Sequence, residues 1–117
     1  MSSSIRINNS EFYYKTGIVA DATSNAQEVA GARGVAIVVT ITDSGSAAGS
    51  IALECSLDGT NFVGIADTPT TLSFTGSSMK ILYNVVDPMY NYVRIAVTRS
   101  AGTMVVKGEI TVVEGGY

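Results

Sequence analysis

From residue 34 onward, apolar and polar residues alternate with a period of two in four separate runs, a pattern that an extended strand can bury and a helix cannot. Val35, Ile37, Val39 and Ile41 share one face of the first run, with Ala36, Val38, Thr40 and Thr42 on the other. Ile51, Leu53, Cys55 and Leu57 form the next inward set, against Ala52, Glu54, Ser56 and Asp58. Val93, Ile95 and Val97 alternate with Tyr92, Arg94, Ala96 and Thr98. Met104, Val106, Gly108, Ile110 and Val112 alternate with Val105, Lys107, Glu109 and Thr111. A slip of one residue would turn Glu54, Arg94 or Lys107 into the core, so register is strongly specified.

Weaker strands are expected between these runs. Thr71-Leu72-Ser73-Phe74 is short, and Met79 to Val86 is apolar on both faces. The connections carry turn chemistry: Asp43 to Gly49, Thr75 to Ser78, and a tight hairpin at Ser100-Ala101-Gly102. Asp87-Pro88 breaks the chain before the penultimate strand, because the residue before proline is pushed away from helical geometry. Ser24 to Ala30 is the one stretch of helical character, but seven residues followed by Gly31 are too few to stand alone. It is read as an extended edge segment or a single turn. Six to eight short strands separated by turns predict an all-β fold, an antiparallel β-sandwich or jelly roll, over residues 17–117. Residues 1–16 are expected to form an extended N-terminal arm.

Composition narrows the function. The chain has 117 residues, enough for one domain, and a net charge of −3. Its seven basic residues are scattered, with no stripe interleaved with aromatics, so nucleic acid is not an expected partner. No apolar run approaches the roughly 20 residues of a membrane helix. Met1-Ser2-Ser3-Ser4-Ile5-Arg6 lacks the apolar stretch of a signal peptide, so synthesis and folding in a cytoplasm are expected. There is no histidine to serve as a base for the many serines and threonines, and no Gly-x-Ser-x-Gly elbow. The acids are spread singly. No catalytic residue, metal ligand or cofactor site is therefore expected, and the chain is read as a non-enzyme. Cys55 is the only cysteine, which excludes an intrachain disulfide, and its place in an apolar set predicts a small buried side chain. Charged residues are only 15% of the chain, which suits a β-rich chain filled with Thr, Ser and Gly as well as a surface partly hidden against neighbours.

Four features are candidates for function. Asp58-Gly59-Thr60-Asn61 resembles a calcium loop in its oxygens but lacks the Asp-x-Asp-x-Asp-Gly spacing. It is read as a turn in which Asp bonds back to the backbone and Gly supplies positive φ. Phe12, Tyr13 and Tyr14 are consecutive, so at least one faces outward from any strand that holds them. They belong either to an edge strand with a tyrosine at its rim or to an arm that packs on a neighbouring subunit. Tyr117 ends the chain behind two glycines and is a further candidate contact. Tyr83, Tyr90 and Tyr92, beside Asn84 and Asn91, would be the stacking platform of an alternative glycan- or receptor-binding module.

The segment from Gly49 to Phe62, GSIALECSLDGTNF, resembles the strand and DGTN-aromatic hairpin of small β-sandwich structural proteins of tailed bacteriophages. Tyr90 to Thr103, YNYVRIAVTRSAGT, is similar to a second strand and turn of the same proteins. Val97 and Phe62 stand where that family often has an aromatic and a tryptophan. The resemblance implies a virion structural protein made in the host cytoplasm: a capsid decoration or cement subunit, or a neck or tail component. It implies partners among capsid or other virion proteins and a homo-oligomer, with a trimer favoured by analogy with decoration proteins. Phe12, Tyr13, Tyr14 and Tyr117 would be its grips.

Overall fold

The alternating runs become strands, and the long strands that follow one another along the chain do not pair with one another. The computed structural model describes residues 5–43, 47–73 and 78–115. Ten strands are present there: β1 (Ile5–Ile18), β2 (Ala22–Thr23), β3 (Gln27–Glu28), β4 (Gly34–Asp43), β5 (Ala48–Ser56), β6 (Val63–Gly64), β7 (Thr70–Thr71), β8 (Ser78–Val86), β9 (Tyr92–Ala101) and β10 (Met104–Gly115). One sheet has the order β1-β10-β4-β8. The other runs β2-β9-β5-β6, with β3 also on β9 and β7 also on β5. All pairings are antiparallel. The fold is an all-β, jelly-roll-like sandwich.

Each long connection changes sheet, because each inward face needs an opposing sheet to cover it. Val35, Ile37, Val39, Ile41, Ile81, Met104, Val106 and Ile110 come from the first sheet. They meet Ile51, Leu53, Val93, Ile95 and Val97 from the second, all buried. The inward sets of β4, β9 and β10 are those that alternation predicts. At Ser100-Ala101-Gly102 the expected hairpin is not formed within a sheet: β9 and β10 lie in different sheets, so the turn arches between layers, with Gly102 at φ +76°. The segment of weak helical character is extended at the sheet edge, the first of its two readings, and Gln27–Glu28 pairs with β9.

Residues 5–16 are extended, but they pair along β10, from Ile5 opposite Gly115 to Lys15 opposite Val106. The stretch read as an arm is therefore an edge strand of its own sheet, which satisfies backbone groups that a free arm would leave to water. Residues 1–4 lie outside the described residues, as does Tyr117.

Register slips between Glu11 and Tyr13, where Phe12 is the extra residue of a β-bulge. The bulge lets two consecutive aromatics turn inward. Phe12 is 7% and Tyr13 9% exposed. The carbonyl freed at Phe12 accepts a hydrogen bond from Asn25 Nδ2 at 2.7 Å, tying β1 to the segment between β2 and β3 in the opposite sheet. Beneath the bulge, Tyr13 pairs with Gly108 of β10. A Cβ at Gly108 would lie 2.6 Å from Ile95 Cδ1 and 3.1 Å from the Phe12 ring, so the missing side chain is the space those two fill.

Gly108→Ala is expected to destabilise the fold by about 1–3 kcal/mol through overpacking. Urea unfolding of Gly108→Ala, Ile95→Val and the double variant tests the cause. Ile95→Val removes the clashing methyl, so the double variant is expected to lose less than the sum of the single losses.

Candidate interaction surface

Between β5 and β6 the chain turns through Leu57 to Phe62. Asp58 Oδ1 accepts hydrogen bonds from the backbone N–H of Thr60 and of Asn61, both at 2.8 Å, and from Ser56 Oγ at 2.9 Å. Asn61 Nδ2 donates to Asp58 Oδ2 at 2.8 Å. Ser56 Oγ in turn accepts from the N–H groups of Asp58 (3.2 Å) and Gly59 (2.9 Å). These donors favour the charged form, led by the Asn61 and Thr60 amides, and hold the Asp58 carboxyl well below the usual carboxylate range. Gly59 has φ +80°, and its bare face lies against the Tyr92 ring. Both carboxylate oxygens serve the turn. No group of three or more His, Cys, Asp or Glu that could hold a metal occurs among the described residues.

Beyond the turn, alternation fails as a guide to burial. Leu57, expected inward, is exposed, and Ser56, expected outward, is buried because its hydroxyl closes the turn. Cys55 is half-buried rather than fully inside. Burial nevertheless pushes its thiol up, against a smaller opposing effect of a backbone hydrogen bond, which keeps the sulfur protonated and weakly nucleophilic. Cys55 lines an open, largely apolar cleft of about 410 Å³ with Leu57, Val63, Met89 and Tyr90, and Asp58 and Asn61 stand at its edge. Met89 is 89% exposed, and Leu57 and Val63 are also on the surface. Asn91 anchors this end by donating from Nδ2 to the Leu57 carbonyl at 2.9 Å and from its N–H to the Ser56 carbonyl at 3.1 Å. Sequence reasoning does not reach this group of residues. The only signal is that Leu57, Val63 and Met89 stand within or beside turn residues.

The aromatic candidates from the sequence are dispersed. Phe12 and Tyr13 are corrected as surface grips, because the bulge turns both into the core. The Tyr13 hydroxyl is buried without a hydrogen-bond partner, and burial raises its pKa. Tyr14 does face outward, 61% exposed, opposite Lys107 on the outer face of the first sheet. The glycan platform is not assembled. Tyr83 points between the sheets, where its hydroxyl is within hydrogen-bond distance of the carbonyls of Thr68 (2.9 Å) and Ile51 (3.1 Å). Tyr90 belongs to the apolar cleft, and Tyr92 packs on Gly59. With Tyr83 turned between the sheets, the three rings do not share one outer face.

Two charged clusters complete the outer faces. Arg94 Nε donates to Glu54 Oε1 at 2.7 Å across β5 and β9, and its guanidinium lies 4.0 Å over the Phe62 ring. Phe62 is thus placed by a cation–π contact. Glu11 and Glu109 sit directly opposite on β1 and β10, with Lys107 Nζ 3.8 Å and 3.9 Å from them. The side chains of this trio are 40–51% exposed, and the lysine offsets the repulsion of the two carboxylates.

No protein-family model matches the chain, and no curated protein matches it in sequence. Solved structures do share its fold. A Bacillus endospore appendage, from disulfide-linked pili, aligns over 97% of this chain and 90% of its own, with TM-score 0.57 and 15% identity. The prophage-derived protein YomS of SPBc2 aligns over 92% and 95%, with TM-score 0.53 and 16% identity. A chain of infectious bursal disease virus, Gt strain, aligns over 94% of this chain, with TM-score 0.60 and 9% identity, but this chain spans only 32% of that longer one.

The Asp58 turn makes stability depend on pH. Its folded pKa is depressed, so its contribution is present above the unfolded value of about 3.9 and is lost as pH falls below that towards the folded pKa. Asp58→Asn keeps a carbonyl acceptor but loses the charge and one acceptor oxygen. The stability gap between wild type and Asp58→Asn, measured by urea unfolding, is expected to be widest near pH 7 and to shrink steadily below pH 4. A gap that stays constant to pH 2.5 would show that the charge is not what the turn uses.

Proposed function

We propose that this chain is a non-enzymatic structural protein of a virus particle, most simply a capsid decoration or a neck or tail accessory subunit. It binds the particle through repeated protein–protein contacts and needs no cofactor. The observation that carries this reading is the apolar end of the sandwich. Leu57, Val63 and Met89 surround the Cys55–Tyr90 cleft, beside a turn that the Asp58 and Asn91 hydrogen bonds hold in one shape. A rigid rim of large apolar side chains loses little conformational entropy on docking, and its burial supplies the driving force. One such contact is weak, and many copies on a repeating lattice become strong together.

The virion setting draws support from the DGTN and YNYVRIAVTRSAGT segments and from a fold shared, over nearly the whole of both chains, with a prophage-derived protein. The viral chain with the same fold points the same way. Tyr14 on the outer sheet face and Tyr117 at the chain end remain proposed contacts, beside the apolar rim. The partners would be capsid or other virion proteins together with further copies of the chain, in a particle assembled in the host cytoplasm.

Co-sedimentation with purified particles of the phage or prophage that encodes the chain tests the reading. Wild type is expected to pellet with particles, and Leu57→Ser/Met89→Ser, which changes only exposed side chains, to bind on the order of tenfold or more weakly. Wild type that stays in the supernatant would overturn the virion assignment. A double variant that binds as tightly as wild type would move the contact away from the apolar rim.

A further inference from the structure

The two sheets expose very different edges. The second sheet ends in two-residue strands on both sides: β2 and β3 along β9, and β6 and β7 along β5. Strands so short offer little main chain to a newcomer. In the first sheet, β1 is long, but its register breaks between Glu11 and Tyr13 and again between Lys15 and Ile18, and it presents the charges of Glu11 and Lys15. Bulges and charges of this kind are how natural edges avoid pairing. The fourth edge, β8, is long and free of bulges, and one charge is its only guard.

β8 pairs with β4 in unbroken register from Ser78 opposite Thr42 to Val86 opposite Gly34. Its other side is unpaired among the described residues. Within it stand no proline, no glycine and a single charge, Lys80. Leu82 is 59% and Val86 80% exposed on its outer face. On its inner face Met79, Tyr83 and Val85 are only partly buried against the core.

We propose that β8 is the dimerisation strand of this protein: it pairs antiparallel with β8 of a second copy about a two-fold axis through Leu82, joining two four-stranded sheets into one. The inference rests on the assembly reading above and adds to it a surface and an occupant. A second copy is chosen because the strand is complementary to itself. Leu82 is the midpoint of Ser78–Val86, so the register centred on it overlaps all nine residues. That register sets Leu82 against Leu82, Ile81 against Tyr83, Met79 against Val85, and Ser78 against Val86. It sets each Lys80 against Asn84, so the only charge meets an amide rather than its own like. Centring on Lys80 instead would oppose two ammonium groups and shorten the overlap. The interface is isologous and closed, so it limits assembly to pairs rather than running on into fibres. The partly buried Tyr83, Val85 and Met79 of each subunit would gain cover from the other, and the row of main-chain donors and acceptors along β8 would be satisfied.

The unique cysteine makes a direct test possible. In a Cys55→Ser background, Leu82→Cys places one thiol per subunit on the proposed axis, within the Cα separation that a disulfide bridges. Mild oxidation is expected to give a covalent dimer of twice 12.2 kDa, while Val63→Cys, exposed on the other sheet, is not. Analytical ultracentrifugation of wild type is expected to show a monomer–dimer equilibrium. In Leu82→Lys, which faces solvent in the single chain, that equilibrium is expected to weaken by about tenfold or more, because like charges then meet across the axis. A wild type that stays monomeric at all concentrations, a trimer in place of the dimer, or equal cross-linking at positions 82 and 63 would overturn the proposal. A monomer that still pellets with particles would overturn the β8 pairing and leave the virion reading intact. A cross-linked dimer that stays in the supernatant would uphold the β8 pairing and overturn the virion reading.

Discussion

The contact between Ile95 of one sheet and the bare backbone of Gly108 in the other, with the Phe12 ring closing over both, sets the arrangement around it. Two sheets can approach closely there only because β10 lacks a side chain at the point where β9 sends its longest inward one. Phe12 has to enter from β1 to fill the remaining space, and it can do so only if β1 bulges. The bulge turns Tyr13 inward as well, leaves Tyr14 outward, and frees a carbonyl that Asn25 takes up from the opposite sheet. One absent side chain in β10 is thus linked to the register of β1 and to the path of the segment before β3.

The same logic separates the two ends of the molecule. In the middle of the sandwich every inward position is covered by the facing sheet, and register and burial agree. At the Asp58 turn, hydrogen bonds take over from packing. Ser56, Asp58 and Asn61 satisfy one another and the local amides, so this end keeps its shape without much apolar burial. Leu57, Val63 and Met89 stand exposed beside it. A surface built in this way suits binding more than reaction. The nearby thiol is kept protonated by its surroundings, and the one carboxylate at the rim already accepts four hydrogen bonds.

Much of the architecture was legible in the residues. The inward sets of β4, β9 and β10 follow directly from alternation, because a pleated strand has only two faces and Lys107, Glu109 and Arg94 admit only one choice. The DGTN turn was legible too, since each residue type has a local reason to be there. The candidate contacts were less so. Phe12 and Tyr13 read as contacts because residues 1–16 read as an arm; strict alternation forbids two neighbours from both facing the core, and a bulge is not visible without the strand it pairs with. Tyr83, Tyr90 and Tyr92 read as a platform because they are close in the chain, whereas Tyr83 lies in one sheet and Tyr92 in the other. The apolar rim was invisible because Leu57, Val63 and Met89 come from three different turns and edges.

What the sequence determined by itself is local: which residues are extended, which face of each long strand is apolar, and where the Asp58 turn falls. Those depend on side-chain period and on hydrogen bonds spanning two or three residues. Only the tertiary structure decided which strands become neighbours, that β1 belongs to the edge of its own sheet, and that β8 is left as a long, regular and lightly charged edge. Pairing joins residues as far apart as Ile5 and Gly115, and it is selected by which inward faces fit across the core. That fit is a property of all the strands at once, so no single stretch of sequence contains it.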